Sequence, residues 1–377
     1  MNRERLAATF IQLCEIDSPS KSEGRVAAFL KDLCAKELGA EAIFEDDSAT
    51  KTGSECGNLI VRFTGTLDKP PLFFNCHMDT VQPGVGVKVQ RQGDTFTSAG
   101  ATILGSDDKA GIAALIETVR LLKENKTPHA PFELLFTTCE EIGLLGAKHL
   151  DFSLVRARMG YALDSSGIDL AIIGAPAANR FTAEIQGLAA HAGLHPEKGI
   201  SAIQLAAQAI TRLPLGRLDA ESTANIGRIS GGTATNIIPE RVRLDGEVRS
   251  HDPAKLARYT AQMEEAFRTA VANWHDPAGL AAGRPAVDFS VEAQYPSMRI
   301  TEGEAVWQRL ATAAKALGRP MEYIVAGGGS DANIFNAHNL ATIILGIGMT
   351  DVHTTEESVT LDAMMRTTEL VIAILTT

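Results

Sequence analysis

Two glutamates stand side by side in TTCEEIG, residues 137–143, just after the apolar run FELLF. Adjacent carboxylates repel, and Glu is a poor helix cap, so capping explains the pair badly. Other acidic and imidazole groups occur at comparable places. NCHMDT (75–80) closes an apolar run with His77 and Asp79, two residues apart and so on one side of a strand. A metal-bound His commonly gives its second ring N–H to such a carboxylate. GSDDKAG (105–111) places Asp107 and Asp108 where a helix should begin; one Asp would serve as a cap, and the second is spare. YALDSSG (161–167) ends an apolar run in Asp164, and GMTDVHTTEES (348–358) puts His353 just beyond another.

Each site alone has a plain structural reading as a cap, an Asx-turn or a solvated strand end. Together they are harder to dismiss. In an open α/β sheet, ligands bind outside the carboxyl ends of the strands. Two histidines and several carboxylates gathered there suit zinc or a similar divalent ion. They outnumber the ligands of one tetrahedral ion, whereas two ions about 3.5–4 Å apart, sharing one carboxylate, would use them all.

The elements that must position these residues alternate in the first half of the chain. Residues 2–15, 22–38 and 108–124 have helical apolar spacing; GNLIVRFTG, PPLFFNCHMD, PFELLFTT and MGYALD read as strands, and IGLLGAKHL as a short helix. Near-continuous apolar strands between helices predict a mostly parallel central sheet with helices on both faces, an α/β fold. The pattern changes near residue 178. RFTAEIQG, the helix GISAIQLAAQAITRL, STANIGRISG, ERVRLDGEVRSH, the helix 253–274 and PAVDFSVEAQ follow in the order β-α-β-β-α-β, a ferredoxin-like α+β unit, with 275–286 a loop inside it. The first style returns near 300, with helix 303–317, strand MEYIVA, a glycine loop, strand LATIILG and a closing helix. The expected organisation is a catalytic domain of residues 1–177 and 295–377, interrupted by an inserted domain, 178–294.

Composition narrows the partners. The net charge of −11 argues against a nucleic acid or an anionic membrane, which reward basic patches. The sequence has neither a long apolar span nor a secretory leader, and its five cysteines include no C-x-x-C pair, so a cytoplasmic protein with reduced thiols is expected. Cys76 and Cys139, beside the residues above, read as small buried hydrophobes.

HMD, GSDDKAG, CEEIG, ALDSSG and DVHTTEE, in this order and with an inserted lid domain, resemble the di-zinc exopeptidases related to peptidase T, carboxypeptidase G and aminoacylase. The likeness spans nearly the whole chain. It implies that His77, Asp107 and Asp164 hold one ion and that Asp107, Glu141 and His353 hold the other, with Asp107 bridging. Zinc is the expected metal, and cobalt or manganese could fill the same ligands. Asp79 would orient His77. Glu140 would be the general base, taking a proton from a water between the ions and passing it to the leaving amine.

The resemblance also assigns residues of the insert. His191, in GLAAHAG, is similar to the lid histidine that reaches the partner subunit's active site and stabilises the oxyanion. Asn236 and Arg249 resemble substrate-binding positions, Arg being suited to a bidentate carboxylate contact. In AGGGSDANIF (326–335), Gly328 and Ser330 could let the backbone approach the substrate, while a flexible turn with Asp331 as N-cap is an equal reading. A homodimer formed through the insert is implied. Asp at 164, where carboxypeptidases and deacylases of the family have Glu, together with GSDDKAG and CEEIGLLGAK, looks most like peptidase T. The interval between HMD and GSDDKAG is shorter than in typical peptidase T, which bears on tripeptide selectivity. The expected activity is an aminopeptidase on tripeptides or similar short peptides. The alternatives are a deacylase or dipeptidase of the same family, or a non-catalytic metal-binding homologue.

Overall fold

The computed structural model describes residues 1–276 and 278–377; Pro277, within the expected loop 275–286, lies outside the described residues. The chain forms two compact units. One comprises Met1–Gly174, Met298–Ala326 and Ser330–Thr377; the other comprises Ala175–Ser297 and Gly327–Gly329.

The first unit is built on a nine-stranded sheet. Phe132–Thr137, Leu72–His77, Met159–Ser166 and Ala341–Met349 lie side by side in that order and run parallel. All six residues of Leu72–His77 and of Phe132–Thr137 are buried. Successive strand residues point to opposite faces, so both faces of the sheet are covered, as an unbroken apolar strand requires. The long helix Ser106–Glu124 packs against Arg3–Cys14 and Leu361–Thr376. Because the four central strands are parallel, their carboxyl ends open on one edge. That edge receives His77, the 138–141 turn, Asp164 and the loop after Met349.

The sheet continues antiparallel through Leu59–Phe63 and Ala42–Glu45 on one side and Ile168–Ala175 on the other. Ile168–Ala175 extends the first unit's sheet almost to the point where the sequence pattern changes. A small three-stranded sheet joins Val89–Gln92 and Thr95–Ser98 to Ser358–Thr360. Neither feature was expected from local periodicity, and in the small sheet the partners come from distant parts of the chain.

The second unit is an antiparallel sheet in the order Gly216–Asp219, Ser222–Gly231, Arg241–Ser250, Ala177–Gln186, Ala286–Tyr295, with helices Ala202–Ile210 and Pro253–Ala272. Apart from the short Gly216–Asp219, this is the ferredoxin-like order. Alternation sorts its faces: Val242, Leu244 and Val248 join Phe181, Met263 and Phe267 in the core, and Arg241 and Arg243 face outward. Asp252 caps the longer helix, accepting from Ala254 N–H at 2.7 Å, with Pro253 in its first turn.

The observed division differs from the expected one at three places. The second unit begins at Ala175, ends at Ser297, and includes Gly327–Gly329. The glycines belong with it because Arg249 Nη1 donates to Gly327 O at 3.4 Å and the Tyr295 ring rests on Gly329. A Cβ on Gly329 would meet that ring at 2.4 Å, so only glycine fits there. Among the described residues, no helix is long and apolar enough to cross a membrane.

Candidate metal centre

The strand ends bring the acidic and imidazole groups together within the first unit. His77 Nε2 lies 3.0 Å from Asp107 Oδ1 and 4.0 Å from Asp164 Oδ1. His353 Nε2 lies 3.3 Å from Asp107 Oδ2 and 3.1 Å from Glu141 Oε1. Asp107 thus offers one oxygen to each histidine. His77, Asp107 and Glu141 present ligand atoms that all lie within 4.8 Å of one another.

The electrostatics fit a cation. Burial, reinforced by the Asp107 charge, pushes Asp164 well above the usual carboxylate range. Burial and the Asp164 charge do the same to Glu140. Burial works against ionising Asp107 as well, yet His353 and His77 hold it below the usual range. Glu141 Oε1 is buried and makes no hydrogen bond, although His353 Nε2 is 3.1 Å away. The two atoms approach without aligning for a hydrogen bond, as ligands of a common ion would. Nitrogen and oxygen donors in this mixture suit zinc and its neighbours.

The start of the long helix is not capped by its own aspartates. Gly105 is the cap residue, at φ +76°, and Asp107 and Asp108 both depart from helical geometry. Glu357 does the work instead. Its Oε2 accepts Leu104 and Gly105 N–H, both at 2.8 Å, and its Oε1 accepts Asp107 N–H at 3.1 Å and the Ser106 hydroxyl at 2.6 Å. Asp108 accepts His77 N–H at 3.2 Å through Oδ2, and its Oδ1 is buried without a partner.

The CEE turn is fixed one amide at a time. Asn58 Oδ1 accepts Thr138 N–H at 3.1 Å, and Glu23 Oε1 accepts Cys139 N–H at 2.9 Å. Asp79 takes the next two: Glu140 N–H on Oδ1 at 2.9 Å and Glu141 N–H on Oδ2 at 3.3 Å. His77 Nδ1 lies 2.9 Å from the Asp79 backbone carbonyl and 3.6 Å from its carboxylate, so the main chain is its nearer partner. Cys139 adopts φ +53°, which turns the chain out of the strand and separates the two glutamates. All five cysteines are free and buried, and burial raises the Cys139 thiol to about 12.

Of the remaining expected residues, His191, Asn236, Arg249 and Gly328 lie in the second unit and Ser330 in the first. His191 is exposed, and its Nδ1 accepts Gly193 N–H at 3.2 Å. It pairs with Ile237 across an isolated bridge, and Ala192 N–H donates to Asn236 O at 2.9 Å, so His191 and Asn236 are neighbours. Arg249 makes a two-pronged pair with Glu247, at 3.0 Å for each prong, and a Cβ on Gly328 would lie 3.8 Å from Arg249 Nη1. In the glycine loop, Ser330 and not Asp331 caps the helix Asp331–Ala337, in a capping box with Asn333. Asp331 is buried instead, accepts the Thr137 hydroxyl at 2.5 Å, and is raised by burial to about 6. Glu357, Glu23 and Asn58 escaped the sequence reading, and Asp331 was expected only as an N-cap. Glu357 lay within the DVHTTEE motif, and Asn58 within a run read simply as a strand.

A sheet of this order with this cluster at its carboxyl edge defines a class, and the chain matches it. Residues 73–377 match peptidase family M20/M25/M40, and the chain belongs to that family, whose peptidases are metal-dependent. It is similar to the aminopeptidase PepT of Bacillus cereus, at 41% identity and a TM-score of 0.89, with 100% of this chain and 98% of that one covered. It is also similar to a tripeptidase of Staphylococcus aureus, at 36% identity and a TM-score of 0.93, with the same coverage. The protein YqjE of Bacillus subtilis is 42% identical over 376 residues, covering 100% of this chain and 98% of its own.

Proposed function

We propose that this peptidase removes the amino-terminal residue from tripeptides and similarly short peptides, with two divalent ions, zinc foremost, as cofactors. The observation that carries the reading is Asp107 shared between His77 and His353. The similarity to an aminopeptidase PepT and a tripeptidase supports the substrate class.

His77, Asp107 and Asp164 would hold one ion, and Asp107, Glu141 and His353 the other. Ions bound there supply a lowered water pKa and a polarised scissile carbonyl. Glu140 takes a proton from the attacking water and delivers it to the leaving amine. Its half-buried carboxylate, whose proton affinity burial and the Asp164 charge raise, suits that exchange. Asp79 keeps Glu140 and Glu141 apart by holding their amides on different oxygens. His191 stabilises the developing oxyanion in the partner subunit of a cytoplasmic homodimer joined through the insert. Asn236, Arg249 and Gly328 hold the substrate backbone. The roles of His191, Asn236 and Arg249 rest on the motif resemblance, and that of Gly328 on its glycine run.

The test is a substrate panel of dialanine, trialanine, tetraalanine and an N-acetyl amino acid. It is run with and without chelator, with metal content measured on the same sample. Trialanine should be cut fastest, releasing a free amino-terminal residue, and chelation should abolish turnover until metal is restored. Cleavage of the acylated substrate alone would overturn the aminopeptidase reading. Fewer than two ions per chain would overturn the bimetallic one.

A further inference from the structure

The segment 16–23 carries none of the motifs above, yet it hydrogen-bonds the residues that flank the ligands. Lys109 Nζ donates to Ile16 O at 2.7 Å, and the Ser18 hydroxyl donates to Met78 O at 2.8 Å. Thr80 N–H donates to Ser18 O at 2.9 Å, and the Ser20 hydroxyl donates to Asp79 Oδ2 at 2.6 Å. Glu23 closes the segment. It is fully buried, and its carboxylate accepts four donors. Cys139 N–H and Lys21 N–H reach Oε1 at 2.9 and 3.1 Å, with the Cys139 thiol at 3.4 Å, and the Ser54 hydroxyl reaches Oε2 at 2.5 Å.

A carboxylate is a costly group to bury for structural reasons alone. Its placement here answers a specific demand. Cys139 is not glycine, yet it holds a left-handed backbone at φ +53°, a conformation that persists only where the surroundings over-determine it. The Cys139 backbone sets the direction in which Glu140 leaves the strand. A charge-assisted hydrogen bond on that amide is stronger and more directional than a neutral one.

We propose that Glu23 is a positioning residue for catalysis: by gripping the Cys139 amide it aims the Glu140 carboxylate at the attacking water. This rests on the reading of Glu140 as the base. Glu23 touches neither substrate nor water and acts through the turn. Its loss should therefore fall on kcat and spare KM and metal content, since ligand atoms and substrate contacts remain.

Glu23→Ala, Glu23→Gln and Glu140→Ala are assayed as metal-loaded, full-length enzyme on trialanine, with metal content and Tm measured on each. Glu23→Ala should lower kcat about 10- to 100-fold, the usual cost of removing an outer support, with KM and metal content retained. Glu23→Gln keeps a carbonyl able to accept both N–H groups and should recover most of that loss. A purely structural role would lower Tm without this split or this rescue. The proposal is overturned if Glu23→Ala keeps wild-type kcat, or if its loss lies wholly in KM or in metal content. If Glu23→Ala does not fold, Ser54→Ala decides, since it strips one donor and leaves the carboxylate: kcat should fall severalfold, and an unchanged kcat overturns the proposal. Glu140→Ala keeps the two readings apart. If it retains turnover, both fall; if it abolishes turnover while Glu23→Ala does not alter kcat, only the positioning role falls.

Discussion

Asp107 and Glu357 are 250 residues apart in sequence and joined in space, Asp107 N–H donating to Glu357 Oε1 at 3.1 Å. The same carboxylate holds Leu104, Gly105 and Ser106, so the loop that supplies His353 also seats the residue both histidines share. Glu357→Ala should weaken divalent-ion affinity about 10- to 100-fold, as loss of an outer-shell partner does. It also strands buried N–H groups, at a stability cost of about 1–3 kcal/mol. Competition against a metal-sensitive chelating dye reads the affinity. Unchanged affinity in the folded variant would show that the ligand cluster organises itself without Glu357.

Glu140 and Glu141 make opposite predictions although they are adjacent. Glu140→Gln keeps the side-chain volume and the amide held by Asp79, but removes the proton acceptor. Metal content should stay at the wild-type value while kcat falls at least ~10²-fold, the lower bound for loss of a general base. Glu141→Gln should instead lose metal first, because Glu141 Oε1 faces His353 Nε2. Elemental analysis and steady-state kinetics on the same preparations distinguish the two. Equal metal loss in both variants would refute the division of labour.

His77, Glu141, Asp164 and His353 were legible because each follows an apolar run, and four parallel strands carry those runs to one edge, whereas Asp107 stands at a helix start. Their joint meaning came from the order of the motifs, since H-x-D or two aspartates alone have ordinary structural explanations. The supports were not legible. Glu23 meets Cys139 at a separation of 116 residues, and Asn58 meets Thr138 at 80. A side chain that accepts a distant backbone N–H leaves no periodic trace. Ser330 and Asp331 could not be told apart as caps, because both residue types favour that position. The insert read well as β-α-β-β-α-β because one face of its sheet is wet, and alternation survives there.

Removing the ions should destabilise the protein. Without a cation, Asp164, Glu140 and Asp108 are all driven upward, burial being the largest cause for each. A divalent ion that binds only the folded state stabilises it by about 2.7 kcal/mol per site at 100 times its Kd. Thermal melts of chelated protein should therefore rise in Tm with added zinc, and Asp107→Ala should flatten that response. A Tm indifferent to saturating zinc, cobalt and manganese would argue that the cluster holds no ion.

Ion loading should also expel protons. In the ion-free protein, the carboxylates of Asp107 and then Glu141, close against its ring, raise His353 to about 10, against an ordinary value of 6.5. The folded value is the higher one, so protonated His353 contributes stability that is fully present below about 6.5 and is lost as pH rises through about 10. A ligating imidazole must be neutral, so near pH 7 each ion that engages His353 has to displace its proton. His77 is also driven well above its ordinary value, against burial, by Asp107 and Asp79. Affinity should therefore climb from about pH 7 toward 10, where free imidazole would already be mostly neutral. Calorimetry in buffers of different ionisation enthalpy measures the protons released. Wild type should release about one more proton than His353→Ala, as the competition between proton and metal at one imidazole requires. An ion affinity that stays flat with pH over this range would mean that His353 does not ligate the ion.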